Sequence, residues 1–277
     1  MKWLLQNLFV FFLPLYAYAD ILGTADKFAV LAGSTITNAG VGVLGATIIT
    51  GNLGVSPGSA CTGFLGCPVT GPGSVIGTIH LADGVSGQAE SDLTTAYTTL
   101  FGLPAMALGS ADLTLDGPLG PGVYSDSAAT LSGKLVLNDG GVDGSIFVFL
   151  MNSLVTASGS SIDVSGLHAG DALFWVVGSS ATLGNNTVFA GNILALTSIT
   201  FDPGAIDLCG RALARNGAVS FAGEGAGIEN QVSIGCAGSG FVGGGGSASV
   251  PEPSSLLLLF TALLALLWLG LKRRRLS

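Results

Sequence analysis

A repeat constrains this chain more than any other feature. Between Leu173 and Phe221, the triplets Trp175-Val176-Val177, Ile193-Leu194-Ala195 and Ala212-Leu213-Ala214 recur at steps of 18 or 19 residues. Ser179-Ser180-Ala181-Thr182, Thr197-Ser198-Ile199-Thr200 and Asn216-Gly217-Ala218-Val219 follow them in the same order, and Asn152-Ser153-Leu154-Val155-Thr156 lines up with Ser179 to Leu183. A period of about 20 residues, with short β-rich runs broken by Gly, Asn or Asp, is the pattern of a solenoid. One such coil cannot bury its own apolar face, so coils must stack. The expected fold is mainly β, a β-helix whose flat outer face is the working part.

Taken in order, the pattern predicts first coils over Asp20 to Ser59, with half-buried strands at Phe28 to Leu31 and Thr47 to Thr50. Ala60 to Ile79 is Gly- and Pro-rich and reads as an irregular crossing. Over about 81–101, Val85, Ala89, Leu93, Ala96, Tyr97 and Leu100 fall at helical spacing, with Asp83 to cap the start and Gly102 and Pro104 to stop it. This is the one long helix expected, and its apolar stripe must lie along the side of the solenoid. Short strands return at Leu113 to Leu115, Gly122 to Tyr124 and Leu135 to Leu137. Ile146 to Leu150 is apolar enough for a deep core strand. Gly166 to Asp171 reads as an insertion, and the repeat fades after Phe221.

Both ends stand apart from this fold. Residues 1–19 carry Lys2, an apolar run and Ala17-Tyr18-Ala19, the layout of a signal peptide. Residues 20–237 form the repeat domain, and 238–249 a Gly/Ser-rich linker. In 250–277, Pro251-Glu252-Pro253 precedes an uncharged span over 254–271 and the cluster Lys272, Arg273, Arg274 and Arg275. Such a span is just long enough to cross a bilayer, with the basic cluster on the cytoplasmic side.

Charge excludes one class of partner. Between residues 20 and 250 four basic residues (Lys27, Lys134, Arg211, Arg215) face sixteen acidic ones, a net of about −12. Such a surface repels phosphate backbones, so nucleic acid is not a partner. Catalysis is also disfavoured. Asp112, Asp116, Asp139, Asp143 and Asp163 sit in turn-like contexts, and His80 and His168 read as surface residues. An acid, a base and a charge stabiliser are hard to assemble from this set. No cofactor is expected. Asp139 to Asp143 resembles a calcium turn but lacks the repeated nonapeptide. An exported chain with Cys61, Cys67, Cys209 and Cys236 is expected to form disulfides. Three pairings exist, and proximity in sequence favours Cys61–Cys67 with Cys209–Cys236. Neither pair has zinc-type spacing.

The segments LGTADKFAVLAGSTITNAG, GNLGVSPG, GVYSDSAATLSGKLVLND, IFVFLMNSLVTASGSSI and VGSSATLGNNTVFAGNILALTSITF resemble the ice-binding family of the DUF3494 type, over Leu22 to Phe221. That resemblance implies a right-handed, three-faced, discontinuous β-helix with a long helix alongside. It implies an ice crystal surface as the partner, met through a flat face with a loose Thr-(Ala/Gly)-x-(Thr/Asn) pattern. The candidate outward positions on that face are Asn152, Thr156, Ser179, Thr182, Thr197, Thr200 and Asn216, with Thr35, Thr37, Thr47 and Thr50 from the first coils. Of the coils that follow the helix, Thr-x-x-Thr itself occurs only in that of Thr197. Val219 and Val155 stand where the pattern calls for Thr or Asn. The tail resembles the PEP-CTERM sorting signal of Gram-negative bacteria. It implies export, a membrane-anchored precursor and processing by an exosortase-type enzyme, with the product at the cell surface or outside the cell. An alternative on the same scaffold is a non-catalytic structural or adhesive protein associated with exopolysaccharide. A charge-free Ser/Thr/Asn/Ala face favours ice, whereas aromatics or carboxylates along a groove favour glycan.

Overall fold

The architecture is that of a computed structural model, which describes residues 21–40, 47–168, 170–222 and the backbone of 232–235. The chain divides into two compact units, residues 1–246 and 247–277, and the described residues all belong to the first. The signal peptide (1–19), the linker (238–249), the sorting tail with its span and Cys236 lie outside them. Among the described residues no helix is long and apolar enough to cross a membrane.

The described chain is mainly β with one α-helix, Gly84–Phe101. Its strands pair in parallel throughout. One run of neighbours is Gly122–Asp126, Ile146–Met151, Ala172–Val177, the later halves of Val188–Ala195 and Ile206–Ala214, then Phe28–Ala32, Asn52–Val55 and Ile79–Leu81. A second is Ala129–Leu131, Leu154–Thr156, Ala181–Leu183, Ile199–Phe201, Val219–Phe221, Thr35–Asn38 and Ala60–Phe64. A third links Lys134–Asn138, Ser161–Gly166, the earlier halves of Val188–Ala195 and Ile206–Ala214, then Val232–Gly235, Thr47–Thr50 and Val69–Ile76. Each coil contributes in turn to the first, second and third run. The registers Trp175↔Ile193↔Ala212 and Val177↔Ala195↔Ala214 are those the repeat predicts.

Stacking order is not chain order. Phe28–Ala32 lies between Ile206–Ala214 and Asn52–Val55, so the first coil closes against the last. The chain starts mid-stack, builds outward to Ile79–Leu81, and resumes at the far end with Met106–Ala107 beside Gly122–Asp126. The helix makes that journey. Its 18 residues span about 27 Å, against about 38 Å for the strand steps between those ends at about 4.8 Å each. Flanking residues 82–83 and 102–105 supply the rest.

The helix starts where expected. The Asp83 carboxylate accepts from the N–H groups of Val85 and Ser86, while the Asp83 N–H donates to Ser86 Oγ. Its stripe Ala89, Leu93, Ala96, Tyr97 and Leu100 packs with Val148, Leu150, Phe174, Val176, Leu194 and Leu213. Val85, expected in that stripe, is instead 47% exposed, in the first turn of the helix. Arg215 pins the helix from outside, with its guanidinium 5.2 Å from the Tyr97 ring centroid and Nε donating to Thr94 Oγ1. The middle of the first run is therefore covered on both sides, and strands there such as Ile146–Met151 and Ala172–Val177 read as unbroken apolar runs. Phe28–Ala32 is buried at every residue rather than half-buried. Inside the coils Tyr124, Phe149, Trp175 and Phe189 stack, with successive centroids 5.3, 4.2 and 5.0 Å apart.

Other expectations change. Residues 60–81 are a true coil, with strands Ala60–Phe64, Val69–Ile76 and Ile79–Leu81, rather than an irregular crossing. Glycine serves close packing there. Gly63 has φ +85°, and a Cβ would lie 2.1 Å from the Asn38 carbonyl oxygen. Leu113–Leu115 is a 3₁₀ turn capped by Asp112, not a strand. The repeat does not end at Phe221, since Val232–Gly235 continues the third run. Cys61 and Cys67 form a disulfide with Cα atoms 5.3 Å apart. The Cys209–Cys236 pairing lies outside the described residues.

Candidate functional site

The second run is built differently from the first. Its strands are short, and the flanking residues of each triplet point inward, as in Ala181 and Leu183, Ile199 and Phe201, or Val219 and Phe221. The middle residue points out, and the registers put these middle residues in one column: Thr130, Val155, Thr182, Thr200, Ser220, Thr37 and Thr62. Two residues earlier in each coil a flanking column holds Ala128, Ser153, Ser180, Ser198, Ala218, Thr35 and Ala60. None of these fourteen residues is charged or aromatic, and Asp112 bridges to Thr130 at one end of the central column. All are half-buried or exposed.

Neighbouring coils tie this surface together. Thr37 Oγ1 donates to Ser220 Oγ at 3.2 Å, Ser179 Oγ donates to the Asn152 carbonyl at 2.6 Å, and the Ala218 N–H donates to Ser198 Oγ at 3.2 Å. The hydroxyls of Thr37, Ser220, Ser179 and Ser198 are thus engaged between coils. Strand neighbours repeat every 4.7–4.9 Å or so, and the surface is a lattice of small side chains at that spacing.

The residues singled out from sequence distribute unevenly. Thr37, Thr182 and Thr200 fall in the central column and Thr35 in the flanking one. Asn152, Ser179, Thr197 and Asn216 are exposed at the corner where each coil enters the run. Thr47 and Thr156 do not belong to any surface. Thr156 is 3% exposed, with its hydroxyl in a hydrogen bond with Thr187 Oγ1, and Thr47 is fully buried and donates to Asn38 Oδ1. Each hydroxyl is satisfied inside the coil, which lets a polar side chain occupy an inward position. Thr50 belongs to the third run, beside Ile76. Val219 is not an outward defect either. The corner between Ala214 and Ser220 is one residue longer than that between Ala195 and Thr200, so Val219 turns inward and Ser220 takes the outward place. Thr62, Thr130 and Ser220 were missed. Ala129-Thr130-Leu131 repeats Ala181-Thr182-Leu183 letter for letter, a signal sufficient to find Thr130.

The carboxylates considered for catalysis brace turns. Asp112 accepts from the Thr114 and Ser132 N–H groups and the Ser132 hydroxyl, and the last of these does most to lower its pKa to about 2. Asp116 accepts from the Gly109 N–H. Asp163 is lowered to about 2 by its bonds with Ser165 and Lys134. His80 closes onto Asp83 at 2.7 Å. His168 is more than a surface residue: its Nδ1 bonds to Asp139 Oδ2, and its N–H donates to Asp171.

Comparison with known proteins agrees with this geometry. An Ice-binding-like family model matches residues 30–225, and a PEP-CTERM protein-sorting motif matches residues 249–275. An ice-binding protein of Nostoc sp. (strain HG1) is 46% identical over 268 residues, covering 94% of this chain and 89% of its own. The solved ice-binding protein of the Antarctic ascomycete Antarctomyces psychrotrophicus superposes with a TM-score of 0.64 at 34% identity, over 79% of this chain and 98% of that one. One from an Antarctic biological consortium gives 0.64 at 38% identity, over 77% and 89%. On its repeat, its stacked parallel strands and these matches, the chain belongs to the Ice-binding-like family.

Proposed function

We propose that the protein adsorbs to ice through the outward face of the second run, centred on Thr37, Thr62, Thr130, Thr182, Thr200 and Ser220. The observation that carries this reading is the register itself, which aligns short hydroxyl side chains in a column with no charge or aromatic ring. Methyl groups order the adjoining water and hydroxyls anchor it, whereas a long or charged side chain would hold liquid-like water instead. The column has no aromatic ring, and the carboxylate at its end, Asp112 beside Thr130, is engaged with Thr114 and Ser132, which disfavours glycan and with it the exopolysaccharide reading. Bound crystals would grow more slowly and recrystallise less, with no covalent chemistry involved. The full fold in this reading is a right-handed, three-faced, discontinuous β-helix. The sorting tail, Pro251-Glu252-Pro253 to Arg275, would hold an exported precursor at the inner membrane until an exosortase-type enzyme processes it for the cell surface or beyond.

The test is thermal hysteresis and ice recrystallisation inhibition at micromolar protein. Thr200→Lys should abolish both while leaving the fold intact, and Leu208→Lys on the exposed third run should change neither. A well-folded parent protein without activity in either assay would overturn the function. Equal loss in both variants would overturn the choice of face.

A further inference from the structure

At the corner where each coil passes from the third run to the first, two successive coils carry long loops. The step from Ile146 to its partner Ala172 is 26 residues, against 18 between Trp175 and Ile193. These loops bring together Asp139, from the first, with His168 and Asp171, from the second. One ligand atom from each of the three lies within 4.8 Å of the other two. Oxygen ligands sit about 2.3–2.6 Å from a calcium ion and nitrogen or oxygen ligands about 2.0–2.2 Å from zinc. Atoms that share one ion are therefore at most about 4–5 Å apart, the spread seen here.

Burial makes this grouping unusual. Asp139 is 3% exposed and Asp171 fully buried. Two carboxylates removed from water side by side repel each other strongly and each pays a desolvation cost. The Gly141 N–H on Asp139, and the Ser145 and His168 N–H groups on Asp171, offset that cost only in part. His168, whose side chain is 53% exposed, reaches Asp139 through Nδ1. Asp143, on the same first loop, adds further negative charge. The first loop carries no side chain at Gly140, Gly141 or Gly144, where a built Cβ would meet nothing within 4 Å.

We propose that Asp139, His168 and Asp171 form a divalent-cation site that clasps the two corner loops together. Two carboxylate oxygens and an imidazole nitrogen suit a borderline ion such as zinc, whereas calcium would use the two carboxylates alone with further oxygen ligands. The corner is the one that does not adjoin the second run, so occupancy stabilises the stack without touching the Ser/Thr face.

The test uses the full chain in mild detergent, stripped with a chelator and then dialysed against calcium or zinc. The expected result is one equivalent of one of these ions bound per chain, with the melting temperature raised by about 5 °C at saturating ion. Because His168 is exposed, His168→Gln should still fold, and its affinity for the ion should fall at least about tenfold. Coincident melts with chelator, calcium and zinc would overturn the site. So would stoichiometric binding that His168→Gln leaves unchanged.

Discussion

In the run that contains Trp175, the residues that point away from the interior are Val148, Leu150, Phe174, Val176, Leu194 and Leu213, and a helix lies on them. In the run that contains Thr200, the corresponding positions hold Ser, Thr and one Val, and they stay open. Both runs share the same coils, the same parallel ladder and the same interior. The difference lies in every second side chain. Where it is large and apolar, leaving it wet costs about 1.5–3 kcal/mol per residue, and the chain spends an 18-residue helix covering the surface. Where it is small and hydroxylated, no cover is needed and the ladder spacing is displayed outright. A solenoid face is thus an assignable surface, and its role can be read from outward positions alone.

The comparison breaks most severely at Leu213. Leu213→Asp places a charge between sheet and helix and should destabilise by more than about 4 kcal/mol, read as loss of the cooperative thermal transition. A milder challenge addresses a buried acid on the helix itself. Glu90 is 9% exposed, and burial pushes its pKa up to about 8, against the opposing pull of Arg215. Between about pH 4.5 and 8 the folded protein retains a proton that the unfolded chain has released, so stability should fall as pH rises through that window. Glu90→Gln should flatten the dependence. It should match the parent near pH 4 and exceed it at pH 9 by up to a few kcal/mol, measured from urea midpoints. On the open face the smallest change sharpens the contrast. Val155 is 48% exposed and interrupts the hydroxyl column between Thr130 and Thr182. Val155→Thr should leave stability within about 0.5 kcal/mol and raise thermal hysteresis. An unchanged value would show that the stretch from Thr182 to Thr62 acts without Thr130.

Much of the first run was legible in sequence, because a strand covered on both sides leaves an uninterrupted apolar signature and Trp175, Ile193 and Ala212 repeat it in register. The helix was legible through Asp83 and its stripe. The open face was harder to read. An in–out–in triplet carries one outward residue, and a corner longer by a single position moves every assignment after it, as Val219 and Ser220 show. Thr47 and Thr156 are indistinguishable from surface threonines until their buried partners Asn38 and Thr187 are known. Residues 60–81 were obscured by glycines such as Gly63, which mark close packing between coils as readily as irregular loops. The grouping of Asp139 with His168 depends on two insertions folding toward each other, and local sequence carries no trace of that.

The closure of Phe28–Ala32 against Ile206–Ala214 bears on how the protein is made. A chain delivered from its N-terminus presents Phe28, Val30 and Leu31 long before residues 206–214 exist to receive them. The early coils have an unpaired edge until nearly the whole domain has emerged, and their contacts are among the most distant in sequence. Completion of the fold is therefore a report that synthesis has reached the far end of the repeat. A truncated product keeps a raw strand edge, which quality control can find.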